Sequence, residues 1–139
     1  PAVELRREAI TSLGFLGDRS SAVTDALAAV LLNPNANPDL RALVALTLAR
    51  FGPAVRSVEA ELTTAFKADP DKTVRMNAVR TLCGGFGGDA VGFIPMLAER
   101  LKDDPDFEVR VAIAEELGAL GAAGKPAVPA LRVAQRDPQ

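Results

Sequence analysis

Four stretches of the chain repeat one pattern of apolar and polar positions. They are LRREAITSLGFLG from Leu5, LRALVALTLARFG from Leu40, VRMNAVRTLCGGFG from Val74 and VRVAIAEELGALG from Val109. Each opens with an aliphatic residue and an arginine, and Arg6, Arg41, Arg75 and Arg110 stand 35, 34 and 35 residues apart. A leucine follows eight positions after each opening residue, as Leu13, Leu48, Leu82 and Leu117. The residues four and five positions after the opening residue are small or aliphatic in every copy. Apolar residues spaced in this way share one face of a helix that turns every ~3.6 residues, and do not share one face of a strand.

A second set of apolar stretches lies between these: SSAVTDALAAVLL, PAVRSVEAELTTAF, DAVGFIPMLAERL and KPAVPALRVAQ. Their apolar positions, such as Val55, Val58, Leu62 and Phe66, again have helical spacing. The turns NPNANPD, ADPD and DDPD lead from this set back to the first, punctuated by Pro, Asp and Asn. The pattern predicts first-set helices near 3–17, 38–52, 72–84 and 107–120, and second-set helices near 20–32, 54–68, 89–103 and 125–136. About eight helices form one array over residues 1–139, with no strand. Pro95 and Pro129 fall inside second-set helices and are expected to bend them. RDPQ reads as the start of a further turn and neither end resembles a cap, so a fragment of a longer array is expected.

The period is close to those of tetratricopeptide and ankyrin repeats, but the chain has no Trp, Tyr or His, on which their signatures depend. It resembles instead the HEAT repeats, in the short HEAT-like or PBS-lyase-type form. The resemblance rests on DDPDFEVRVAIAEELGALG (103–121) and KPAVPAL (125–131), and is weakest in the first helix pair. It implies an all-α, armadillo-like α-solenoid of stacked antiparallel helix pairs, right-handed in its superhelix. The proline-bearing helices would then be outside and the Val-Arg helices would line the concave side. It also implies a ladder between neighbouring repeats, in which an Asp stands six residues before each Arg. Asp69 precedes Arg75 and Asp104 precedes Arg110 at that spacing, whereas Asn35 stands before Arg41. A short acid in a turn can cap the next helix, and a buried Arg needs a carboxylate or carbonyl partner. These residues are therefore read as structural.

Composition then removes most chemistry. With 16 Lys and Arg against 18 Asp and Glu, the net charge of −2 gives no general attraction to nucleic acid or an anionic membrane. The absence of Trp and Tyr leaves few platforms on which bases could stack. No histidine means that the commonest metal ligand and general base are missing. The single Cys83 can form neither an internal disulfide nor a zinc site alone, and its place beside Leu82 makes it a small core residue. Glu115 and Glu116 are adjacent on a helix, so they do not face each other for acid–base work. Among enzymes built on such repeats, the di-iron hydroxylases need His-Glu pairs that are absent. A phycobilin-lyase activity conflicts with no single residue, but most proteins with these repeats lack it. No catalytic, cofactor-binding or metal residue is assigned, and no apolar run approaches the ~20 residues of a membrane span.

Binding remains. On the Val-Arg helices, positions +2, +3, +6 and +10 from the opening aliphatic are expected to point away from the core. The candidate partner-binding concave face comprises Arg7, Phe15, Leu43, Leu46, Arg50, Met76, Arg80, Val111 and Glu115. Its apolar members beside three arginines suit a protein or peptide partner. The alternative is that Leu43 and Leu46 touch the next repeat. The function expected is a non-catalytic protein–protein interaction scaffold, the competitor an accessory repeat domain of an enzyme. The glycine-rich CGGFGGDA from Cys83 follows a helix and lacks both the GK[ST] ending and the GxGxxG order of phosphate loops. It reads as a flexible inter-repeat turn, with Asp89 capping the next helix and Phe86 tucked in like Leu16, Phe51 and Leu120.

Overall fold

Helical periodicity becomes helix throughout: the computed structural model describes residues 2–138, and no strand occurs among them. The Val-Arg stretches form α1 (Ala2–Phe15), α3 (Pro38–Leu48), α5 (Lys72–Phe86) and α7 (Phe107–Ala119). The second set forms α2 (Ser21–Leu31), α4 (Glu59–Ala68), α6 (Ile94–Asp103) and α8 (Val128–Ala134). Local chemistry sets their starts. Asp71 accepts from the N–H groups of Thr73 and Val74 at 2.8 and 3.1 Å, capping α5. Asn37 accepts from Asp39 N–H at 2.8 Å, with Pro38 in the first turn of α3 where its missing N–H costs nothing. After each Val-Arg helix the chain reverses at a glycine with positive φ: Gly17, Gly52, Gly87 and Gly121, at 78°, 54°, 51° and 56°. Side chains bearing a Cβ resist that conformation, so these glycines fix the repeat register.

The second-set helices begin later than the sequence predicts. Short 3-10 segments, Ala49–Val58 (broken at Gly52), Gly87–Phe93 and Gly121–Ala127, precede α4, α6 and α8. Pro95 and Pro129 consequently lie in the first turns of α6 and α8 rather than inside bent helices. There they remove no helical hydrogen bond. Asp89 caps neither the 3-10 segment nor α6; its carboxylate takes a 2.7 Å ion pair from Arg56.

The helices stack in two layers. In one layer α1 packs on α3, α3 on α5 and α5 on α7; α2, α4 and α6 each pack on the first-set helix that follows. The result is an α-solenoid with one continuous core, in which Val44, Leu62, Phe66, Val74, Val79, Leu97, Val109 and Ile113 are fully buried. Burying each such side chain contributes about 1.5–3 kcal/mol. Residues Lys72–Asp103 have the length and hydropathy of a membrane-crossing helix, yet Gly87 divides them into α5 and α6, both packed into this core.

Polar side chains also tie α5 to α3. Asn77 Nδ2 donates to the Ala42 carbonyl at 3.0 Å and Thr81 Oγ1 to the Ala45 carbonyl at 2.7 Å. The glycine-rich stretch packs against the 3-10 segment that follows α3. Cys83 to Phe86 are the last turn of α5, not a loop, and a Cβ on Gly85 would lie 2.1 Å from Val55 Cγ2. Phe86 is buried against Phe93 with ring centroids 4.9 Å apart, and Phe51 is buried at the matching place. Leu120 is half-buried, while Leu16 stands exposed.

Candidate functional site

The arginines that open the repeats build a ladder. Arg41 donates from Nε and Nη2 to the two carboxylate oxygens of Asp69 at 2.8 and 3.1 Å. Arg75 repeats this fork on Asp104 at 3.0 and 2.9 Å, and adds a bond to Asp106. The third rung is Arg110 with Asp137, Nε to Oδ2 at 3.2 Å. Each Arg also donates back to the turn before it: Arg41 to the Ala36 carbonyl, Arg75 to Asp69 and Pro70, Arg110 to Asp104. Asp69 and Asp104 thus serve two repeats, the carboxylate pairing with the previous Arg and the carbonyl with their own. Burial alone would raise the Asp104 carboxyl, but Arg75, the Asp106 N–H and Arg100 outweigh it and hold it below the usual carboxylate range.

The rung assigned to Asn35 belongs to Asn33. Asn33 Oδ1 accepts from the N–H two residues on at 2.9 Å, as Asp69 and Asp104 do at 2.9 and 3.0 Å. Asn35 is exposed and makes no side-chain bond to Arg41. The turn NPNANPD carries two extra residues, which displaces a count made backwards from Arg41. Arg6 stays exposed beside the neutral Asn33, and no carboxylate pairs with it among the described residues. The signal that locates every rung is the dipeptide before the turn: Asp69-Pro70, Asp104-Pro105 and Asp137-Pro138, with Asn33-Pro34 in the first. Spacing from the Arg missed both Asn33 and Asp137, and gave no hint of Asp106.

The side chains expected to face outward divide into three groups. Ala42 and Ala112 are buried, because α3 packs between α1 and α5, and α7 packs on α5. Leu43 and Met76 are half-buried. Arg7, Phe15, Leu46, Arg50, Arg80, Val111 and Glu115 are exposed, with Phe15 at 66% and Leu46 at 55%. They do not form one continuous patch. Two adjoining depressions share Leu43 and Leu46: one also has Arg7, Asp39 and Asn77 on its walls, the other Phe15, Thr47 and Arg50. Over the second, the Arg50 guanidinium lies 4.0 Å from the Phe15 ring centroid, a cation–π contact. Arg80 pairs with Glu115 at 3.3 Å, further along the same face. Val111 and Met76 line neither depression.

Little reactive chemistry is present. Burial, with a smaller push from the Glu116 carboxylate, raises the Cys83 thiol to about 12, which disfavours the reactive thiolate at neutral pH. Burial also raises Glu116 itself. No group of three or more His, Cys, Asp or Glu side chains suited to hold a metal occurs among the described residues. No curated protein matches the chain significantly. The HEAT repeats match it over residues 1–83, 23–118 and 59–139. Those ranges together span the whole sequence, and with the stacked helix pairs and their regular arginine register they show that the chain belongs to the HEAT-repeat family.

Proposed function

We propose that the chain is a non-catalytic scaffold that binds a polypeptide on its concave face, the face lined by α1, α3, α5 and α7, at the part built by α1, α3 and α5. HEAT repeats commonly serve as protein-interaction scaffolds and are generally non-catalytic. The observation that supports a binding face here is the exposure of Phe15 and Leu46 at two adjoining depressions. Large apolar side chains grouped in this way cost solvation free energy unless something covers them. Leu46 does not touch the next repeat closely enough to be covered, so the packing alternative leaves its exposure without a cause. The two depressions draw residues from α1, α3 and α5, which suits an extended partner contacting more than one repeat.

The test is selection of binders from a random displayed peptide library on the immobilised chain. Leu46→Glu places a charge at the junction of both depressions and is expected to abolish binding of most selected peptides. Val133→Glu alters an exposed valine on α8 and is expected to leave them bound. Peptides that bind Leu46→Glu as well as the parent chain would locate binding elsewhere and defeat the proposal.

A further inference from the structure

The charges around the two depressions do not balance evenly. Asp39 lies with Arg7 on the wall of the first, and Glu115 pairs with Arg80 beyond it. The second depression, about 390 Å³, has one charged residue, Arg50, among Thr11, Phe15, Leu43, Leu46 and other uncharged neighbours. Phe15 covers one face of the Arg50 guanidinium, yet no hydrogen bond or ion pair reaches it among the described residues. A guanidinium has five N–H donors in a plane, and stacking on a ring leaves that edge available. An apolar depression with a single uncompensated cation at its wall is complementary to an apolar group carrying one negative charge.

We infer that the partner segment is acidic as well as apolar: one large apolar side chain fills the depression beside Leu46, and a neighbouring carboxylate meets Arg50. This rests on the reading of the face as a polypeptide-binding surface, and narrows the class of peptide it takes. The depression has room for a large side chain of the Leu or Phe type. The bidentate fork of Arg50 supplies the charge-assisted bonds to Asp, Glu or a terminal carboxylate. The Phe15 ring restricts where the guanidinium can sit, so less side-chain freedom is lost when the carboxylate arrives.

Peptides selected on the parent chain supply the probes. For each, a version with its acid next to the apolar anchor changed to the amide is compared by titration calorimetry on the parent, Arg50→Gln and Leu46→Glu chains. The expected result is enrichment of Asp or Glu beside Leu or Phe, a roughly tenfold loss on changing the acid to its amide, and a similar loss for Arg50→Gln. The two changes together are expected to cost no more than either alone, because both remove one contact. Affinity for acidic peptides is expected to fall with added salt. If peptides bind at Leu46 with no preference for acids, or acid and amide versions respond equally to Arg50→Gln, the inference fails and the binding face stands. If Leu46→Glu changes nothing, both fail.

Discussion

Replacing Arg75 by Ala removes the central rung of the ladder. The Arg75 side chain is 5% exposed and its partner Asp104 carboxylate 0%, so the change strands a buried acid. Lost with it are two bonds to Asp104 at 3.0 and 2.9 Å, one to Asp106, and two to backbone carbonyls at 2.9 and 3.1 Å. Breaking a buried pair by removing one partner costs about 3–5 kcal/mol. Arg100 still holds Asp104 at 2.6 Å, which places the expected loss near the lower bound, about 3 kcal/mol. For a chain of this size that corresponds to roughly 10 °C in Tm. The comparison is Lys72→Ala, which breaks a half-exposed, solvent-screened pair with Glu108 of the kind that contributes little. The chain has no Trp or Tyr, so urea unfolding is followed by far-UV circular dichroism, with Cys83 reactivity as a second probe. Two probes matter because stacked repeats can unfold in parts. A loss for Arg75→Ala no larger than for Lys72→Ala refutes the ladder as a source of stability.

Four further outcomes follow from the same geometry. The folded Asp104 carboxyl lies below its unfolded value, so its contribution is complete above pH ~4 and is lost as pH falls through the folded value; the stability gap between the parent chain and Asp104→Asn is expected to shrink below pH ~4, and a gap constant from neutral pH to pH 2 contradicts this. Gly85→Ala drives a Cβ against Val55 and is expected to cost about 1–3 kcal/mol. Combined with Val55→Ala it is expected to cost less than the sum of the two single changes, and strict additivity in denaturant melts speaks against the clash. Cys83, with its thiol pushed up to about 12, is expected to resist alkylation at pH 8 until urea unfolds the chain; labelling of the folded protein at the rate of a free thiol overturns that. Asn33→Asp supplies the carboxylate that Arg6 lacks and is expected to raise Tm by a few degrees, an effect absent in an Arg6→Ala background.

Much of the fold was legible because the signal is repeated. Four arginines in register, four leucines eight positions from the opening residue, and three turns rich in Pro and Asp or Asn all point to the same stack. What escaped depended on interactions that periodicity does not encode. Pro95 looked internal to a helix because nothing in the pattern marks the 3-10 segment before it. Counting six residues back from Arg41 lands on Asn35 because it ignores two inserted residues, whereas the Asx-turn hydrogen bond marks Asn33. Gly84 and Gly85 suggested a loose turn; close approach to Val55 gives Gly85 a place inside α5 instead. On the binding face, helical spacing identified Leu46 and Phe15 as exposed but missed the burial of Ala42 and Ala112. That burial comes from neighbouring repeats, which the position of a residue within its own helix does not report.

The most direct test of the binding face is a methyl and amide NMR titration of the chain with a selected peptide. The account predicts that the largest shifts fall on Leu43, Leu46, Thr47 and Phe15, across α1 and α3, with the α8 methyls of Leu131 and Val133 unmoved. Shifts concentrated on α6 and α8, with Leu46 unchanged at saturation, would contradict it.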